Sequence, residues 1–75
     1  MTIYHAELYR FGDTLEAVAE SEEKAIDLVM WGYREMYHKC NGLPATEADV
    51  EEAKDYIELR EYELNEVYFL KEKMN

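Results

Sequence analysis

The sequence predicts a small α+β domain, a β-hairpin followed by two helices and a C-terminal strand (ββααβ). Three observations predict it. Two short alternating segments flank Gly12-Asp13, a long amphipathic run follows Ser21, and β-type composition returns around Val67-Tyr68-Phe69. At 75 residues the chain reads as one unit over residues 1–75, near the size at which one hydrophobic core is barely sufficient. The hydrophobic fraction of 48% is ordinary for a globular chain.

Thr2 to Phe11 and Thr14 to Ala19 form the expected hairpin, because a two-residue Gly-X loop is the chemistry of a type II′ turn. That turn sets Phe11 opposite Thr14, Leu8 opposite Ala17 and Ala6 opposite Ala19. One face then carries Tyr4, Ala6, Leu8, Leu15, Ala17 and Ala19, small and apolar enough for a helix to approach closely. The other carries His5, Glu7, Tyr9, Phe11, Glu16, Val18 and Glu20 and is expected to be wet.

Ser21 is an N-cap, and Glu22 and Glu23 place negative charge in the first turn, where the helix dipole favours it. The first helix should run from Glu22 to Cys40, stopped by Asn41-Gly42 and barred from continuing by Pro44. Its apolar stripe is Ala25, Leu28, Val29, Gly32, Tyr33, Met36 and Cys40. On that stripe Gly32 reads as a site of close approach to the alanine-rich hairpin face. A second helix begins after Thr46, whose spacing to Asp49 resembles a capping box, with Val50, Ala53 and Ile57 as its narrow apolar stripe. From Arg60 onward Tyr62, Leu64, Tyr68 and Leu70 recur with period two, which favours a third strand over residues 58–70. Continuation of the second helix is the alternative, since Glu, Leu, Arg and Lys all favour helix.

Catalytic chemistry finds little material. Ser21 is accounted for as a cap. Cys40 falls on the apolar stripe, two residues from His38, so the two side chains diverge on a helix; a structural, at least half-buried cysteine is expected. His5, His38 and Cys40 lack the paired spacing of a zinc site, no Asp-x-Asp-x-Asp-Gly loop is present for calcium, and three isolated glycines make no phosphate loop. No enzyme activity, metal or cofactor is therefore expected. The eight Lys and Arg residues are dispersed among eighteen acids, so direct nucleic-acid binding, which needs clustered bases, is not expected either. Met1 to Glu7 lack the basic and apolar regions of a signal peptide, no apolar run reaches membrane-span length, and one unpaired cysteine suits a reducing compartment. The expectation is a cytoplasmic protein without a membrane partner.

The charge is the functional signal. Formal net charge is −10, and Glu47, Asp49, Glu51, Glu52, Asp55, Glu58, Glu61, Glu63 and Glu66 are interleaved with Val50, Tyr56, Ile57, Leu59, Tyr62 and Leu64. Disordered acidic tails lack such residues, so the charge should sit on folded backbone. Glu47, Glu51, Asp55 and Glu58 follow at spacings of four, four and three, which on one helix makes a ladder of like charges roughly 5–6 Å apart. Solubility alone is the plainer account of any single glutamate. Trp31 lies off the apolar stripe with Asp27, Arg34, Glu35 and His38, and two readings stand: covered by another segment, or exposed as an anchor for a partner.

In size, acidity and α+β layout the chain resembles small accessory proteins of phages and mobile elements, the anti-restriction and anti-CRISPR inhibitors among them, several of which mimic nucleic acid. The resemblance lies in composition and element order, and no motif transfers a residue role. It implies a non-enzymatic inhibitor that occupies a basic nucleic-acid-binding surface of a partner protein. The residues' own charge and aromatic pattern, not the resemblance, offers Glu47, Glu51, Glu52, Asp55 and Glu58 for that contact, with Trp31, Tyr56 or Tyr62 as apolar anchors. The alternative is a homo-oligomeric structural or assembly protein, a homodimer in the simplest case, resting on the small core and on Tyr9 and Phe11 of the outer hairpin face.

Overall fold

A computed structural model of the chain describes residues 1–63. Its elements run β1 (Thr2–Arg10), β2 (Asp13–Ala19), α1 (Glu22–Asn41), α2 (Glu47–Lys54) and β3 (Glu58–Glu63), the α+β order ββααβ. The strands form one antiparallel sheet in the order β2-β1-β3, and the helices cover one of its faces. The continuation of the third strand from Leu64 to Leu70, like Glu66, falls outside the described residues.

The hairpin differs from expectation in its turn. Arg10 pairs with Asp13, leaving Phe11 and Gly12 as the two loop residues, with φ of 57° and 74°. Two central residues at positive φ are what a type I′ turn requires, and its twist matches that of the flanking strands. The register moves by two residues: Leu8 faces Leu15, Ala6 faces Ala17 and Tyr4 faces Ala19. A shift of two preserves the faces, so the strand residues assigned to the apolar side stay there. Phe11 does not keep its assignment. It turns toward α1, stacking on Tyr33 with centroids 5.7 Å apart and meeting the edge of Tyr37 at 6.2 Å. Those contacts offset the strain of a bulky residue in the left-handed region.

Helix α1 starts where Ser21 Oγ accepts the Lys24 N–H at 3.2 Å and ends where Gly42, φ 75°, donates its N–H to the His38 carbonyl. Its buried side is Ala25, Val29, Met30 and Tyr33; Leu28 and Cys40 are exposed. Met30 replaces Leu28 because the sheet meets the helix on the 25–29–33 side, and Cys40 lies in the last turn, beyond the sheet. The expectation of a structural cysteine is thereby corrected.

Helix α2 is fastened by Val50 and Ala53. These join Ala6, Leu8 and the buried α1 residues in one core, bordered by Tyr4, Leu15, Ala17, Ala19, Ile26, Tyr37, Ala45, Ile57 and Leu59. After Lys54 the chain tightens, Tyr56 donating to the Ala53 carbonyl and Ile57 to that of Lys54. These i→i+3 bonds close the helix end and feed β3 onto the free side of β1.

Gly32 is not a point of obligatory close approach, since a Cβ there meets only Leu15 Cδ2, at 3.7 Å, an ordinary contact. Gly32→Ala is expected to stabilise the protein by about 0.5–1 kcal/mol through helix propensity, read as a higher melting temperature in circular dichroism.

Candidate functional site

Helix α2 presents Glu47, Glu51 and Glu52 outward, because Val50 and Ala53 are drawn into the core. Its N-terminus is fixed by a complete capping box. The Asp49 N–H donates to Thr46 Oγ1 at 3.2 Å, and the Thr46 N–H donates to Asp49 Oδ2 at 3.0 Å, with the Thr46 hydroxyl on the same oxygen at 2.8 Å. Aspartate is long enough to reach back here, in keeping with the Thr46–Asp49 spacing. The Thr46 backbone N–H, then its hydroxyl, hold the Asp49 carboxyl below its usual value of 3.8. The charge so maintained lies near two phenols. The Asp49 carboxylate is the main cause that raises the Tyr37 pKa; burial, then Asp49, raises that of Tyr33.

A folded pKa below the unfolded one adds stability above the unfolded value and loses it as pH falls through the folded value. Stability from Asp49 is thus complete above about pH 4 and disappears on further acidification. Thr46→Ala is expected to cost about 1 kcal/mol at neutral pH and to move Asp49 only part of the way back toward its ordinary titration, because the backbone N–H at position 46 still donates to it. Urea unfolding at pH 7 and at about pH 3 should therefore show the gap between variant and wild type narrowing in acid, with the part due to the Asp49 N–H bond to Thr46 Oγ1 remaining.

The carboxylate ladder is not continuous. Glu47 and Glu51 share a side of α2, but the helix stops at Lys54, Asp55 is its C-cap, and Glu58 belongs to β3. Three of these acids, and Glu52 beside them, have a base of their own: Glu47 meets Arg34 at 3.6 Å, Glu51 meets Lys54 at 3.4 Å, Glu58 meets Arg60 at 3.4 Å and Glu52 meets Arg10 at 3.1 Å. Exposed pairs of this kind contribute about 0–1 kcal/mol, so each carboxylate exchanges partners at little cost.

Two exposed aromatics flank α2. Trp31 is 66% exposed, one helical turn before Arg34, the residue that reaches Glu47. Tyr56 is 63% exposed and lies beneath the Arg10 guanidinium, 4.7 Å from its ring centroid. Arg10 therefore ties Glu52 and Tyr56 into one group. Sequence reasoning missed it because its partners lie more than forty positions away. Tyr62 is half-buried and stands opposite Ile3, on the sheet face away from the helices. Glu58 is on that face too. The structure thus groups Trp31, Glu47, Glu51, Glu52 and Tyr56 around α2, with Asp55 at its end, and places Glu58 and Tyr62 elsewhere.

The helix-free sheet face carries its own array. Glu7 is directly opposite Glu16 on one side and Glu58 on the other, giving a row of three carboxylates across the sheet. On one side of the row the next rung is Val18, His5 and Arg60; on the other stand Thr14 and Tyr9. His5 Nε2 contacts Glu16 Oε1 at 3.1 Å. Tyr9 and Val18 are exposed beside the row.

Among the described residues, no helix is long and apolar enough to cross a membrane. The chain matches no protein-family model, no curated protein and no solved structure.

Proposed function

We propose that the protein is a non-enzymatic acidic binding module whose α2 surface docks on a basic, nucleic-acid-binding surface of a partner protein and excludes the nucleic acid. The observation that carries this reading is the mounting of the charge. Glu47, Glu51 and Glu52 project from a capped helix held by Val50 and Ala53. Negative charge on fixed backbone meets a basic surface without first being ordered, which removes part of the entropic cost of association. Trp31 and Tyr56 flank the acids as exposed aromatics of the kind that dominate binding energy. Complementary charge accelerates encounter and selects the partner, while the aromatics set the lifetime of the complex.

Affinity capture at low and high salt, with and without excess duplex DNA or RNA, tests the reading. A basic partner retained at low salt and displaced by nucleic acid supports it. Partners held equally with and without the competing polyanion refute it. A second reading, a homo-oligomeric assembly module, draws on the exposed Tyr9 and Val18 of the helix-free sheet face. Light scattering that finds only monomer at high protein concentration removes that reading and leaves the first intact.

A further inference from the structure

We infer that His5, Glu7 and Glu16 form a binding site for one divalent transition-metal ion of the zinc type on the helix-free face of the sheet. One imidazole nitrogen and one oxygen from each of the two carboxylates all lie within 4.8 Å of one another. Zinc bonds to histidine nitrogen and carboxylate oxygen at about 2.0–2.2 Å, so donors sharing one ion are about 3–4 Å apart. Small rotations of the glutamate side chains close that difference, and Glu16 is exposed enough to make them.

The framework is stiff where a ligand set needs it to be. His5 and Glu7 are alternate residues of β1, the central strand, and Glu16 is the β2 residue directly across from Glu7. The imidazole is itself held, its side chain only 18% exposed. Nδ1 is buried without a hydrogen-bond partner, while Nε2 is turned toward Glu16. The donor that makes this more than a group of acids is therefore fixed by packing and aimed at the carboxylates.

Charge argues the same way. Like charges directly opposite each other on a sheet are destabilising, and Glu7 has a glutamate on both sides. Arg60 pairs with Glu58 and His5 with Glu16, and Glu7, in the middle, makes no ion pair among the described residues. A simple His5–Glu16 pair leaves that repulsion in place, whereas a dication bridging Glu7 and Glu16 removes it. The mixture of imidazole and carboxylate selects zinc-type ions over Mg²⁺ and Ca²⁺, which prefer all-oxygen cages. Three protein ligands on an open face leave further coordination positions to water. The inference is independent of the docking role assigned to α2.

The test titrates the full chain with Zn²⁺ by calorimetry and with Co²⁺ by visible absorption, in physiological salt with Mg²⁺ in excess. One ion per chain is expected. Glu16→Gln and His5→Phe should weaken binding at least roughly tenfold, since even outer-shell losses commonly cost that much. Glu47→Gln with Glu51→Gln, on α2, should leave affinity unchanged, as should Cys40→Ser with His38→Asn. Glu7→Gln guards against misfolding: removing the central charge should raise the melting temperature of the metal-free protein while abolishing the further rise that Zn²⁺ produces. Absence of saturable binding, displacement by Mg²⁺, or loss of binding in either control variant overturns the assignment.

Discussion

Leu8→Ala is expected to leave most of the protein unfolded at 37 °C. Leu8 is 1% exposed, sits on the central strand opposite Leu15 and belongs to the core beneath the two helices. Leucine-to-alanine changes at such positions cost about 2–5 kcal/mol, part transfer and part unfilled cavity. A chain this short seldom holds more than about 3–5 kcal/mol in total. Little can relax inward, because the core around it includes Ala6, Ala17, Ala25 and Ala53, which have no length with which to fill a void. At roughly 4–8 °C per kcal/mol for a domain of this size, the melting temperature should fall by at least roughly 8 °C. Thermal and urea unfolding by circular dichroism measure this directly. Val18→Ala, on the exposed side of β2, is the matched control and should stay within about 0.5 kcal/mol of wild type. A large loss for Val18→Ala with Leu8→Ala close to wild type would mean that the faces of the hairpin are exchanged.

Reversing Glu47, Glu51 and Asp55 together to lysine is expected to weaken binding to the basic partner by roughly a hundredfold or more. Couplings between close charges across an interface measure about 1.5–7 kcal/mol, and about 1.4 kcal/mol is tenfold in affinity. The substitutions leave Val50, Ala53 and the Thr46–Asp49 cap untouched. Lysine at Asp55 also suits the negative end of the helix dipole, so the fold should persist, as circular dichroism can verify. Glu58→Lys is informative by contrast. It changes charge equally per residue but on the opposite face of the sheet, and should leave affinity within about twofold by the docking geometry given above. If Glu58→Lys weakens binding as much as the α2 reversals do, net charge alone governs association and the α2 surface has no special part in it.

Element order was legible because the signals that set it are local. Ser21 with Lys24, Thr46 with Asp49, and the left-handed Gly42 each act within four residues, and their chemistry is the same in any fold. The hairpin register was not legible. A Gly-X loop and an X-Gly loop fit the same residues, and the choice fell to Phe11, which adopts positive φ while its ring lies against Tyr33 and Tyr37. That support comes from more than twenty residues away. The two-residue shift had a further effect: the expected pairing set Glu7 opposite Val18, whereas the true one sets it opposite Glu16. The His5–Glu7–Glu16 group was hidden by that displacement. The broken carboxylate ladder has a similar origin, because nothing among Asp55, Tyr56 and Ile57 is a strong helix breaker. The chain leaves α2 there because Leu59 has a place beside Ala6 on the sheet. The exposure of Trp31, open in sequence, follows from the sheet covering the 25–29–33 side of α1.

The strand at the centre of the sheet is the earliest in the chain, and its second neighbour, β3, lies some fifty residues later. During synthesis the hairpin therefore emerges with one flank of β1 bare, and that flank stays uncovered until residues 58–63 leave the ribosome. Closure of so distant a pair is slow compared with local helix formation. The nascent protein thus passes through an interval with an open hydrogen-bonding edge, the condition in which newly made chains adhere to one another. Glu7 stands on that bare strand, with Glu16 beside it across the hairpin, and the repulsion between such pairs would keep two hairpins apart until the last strand arrives.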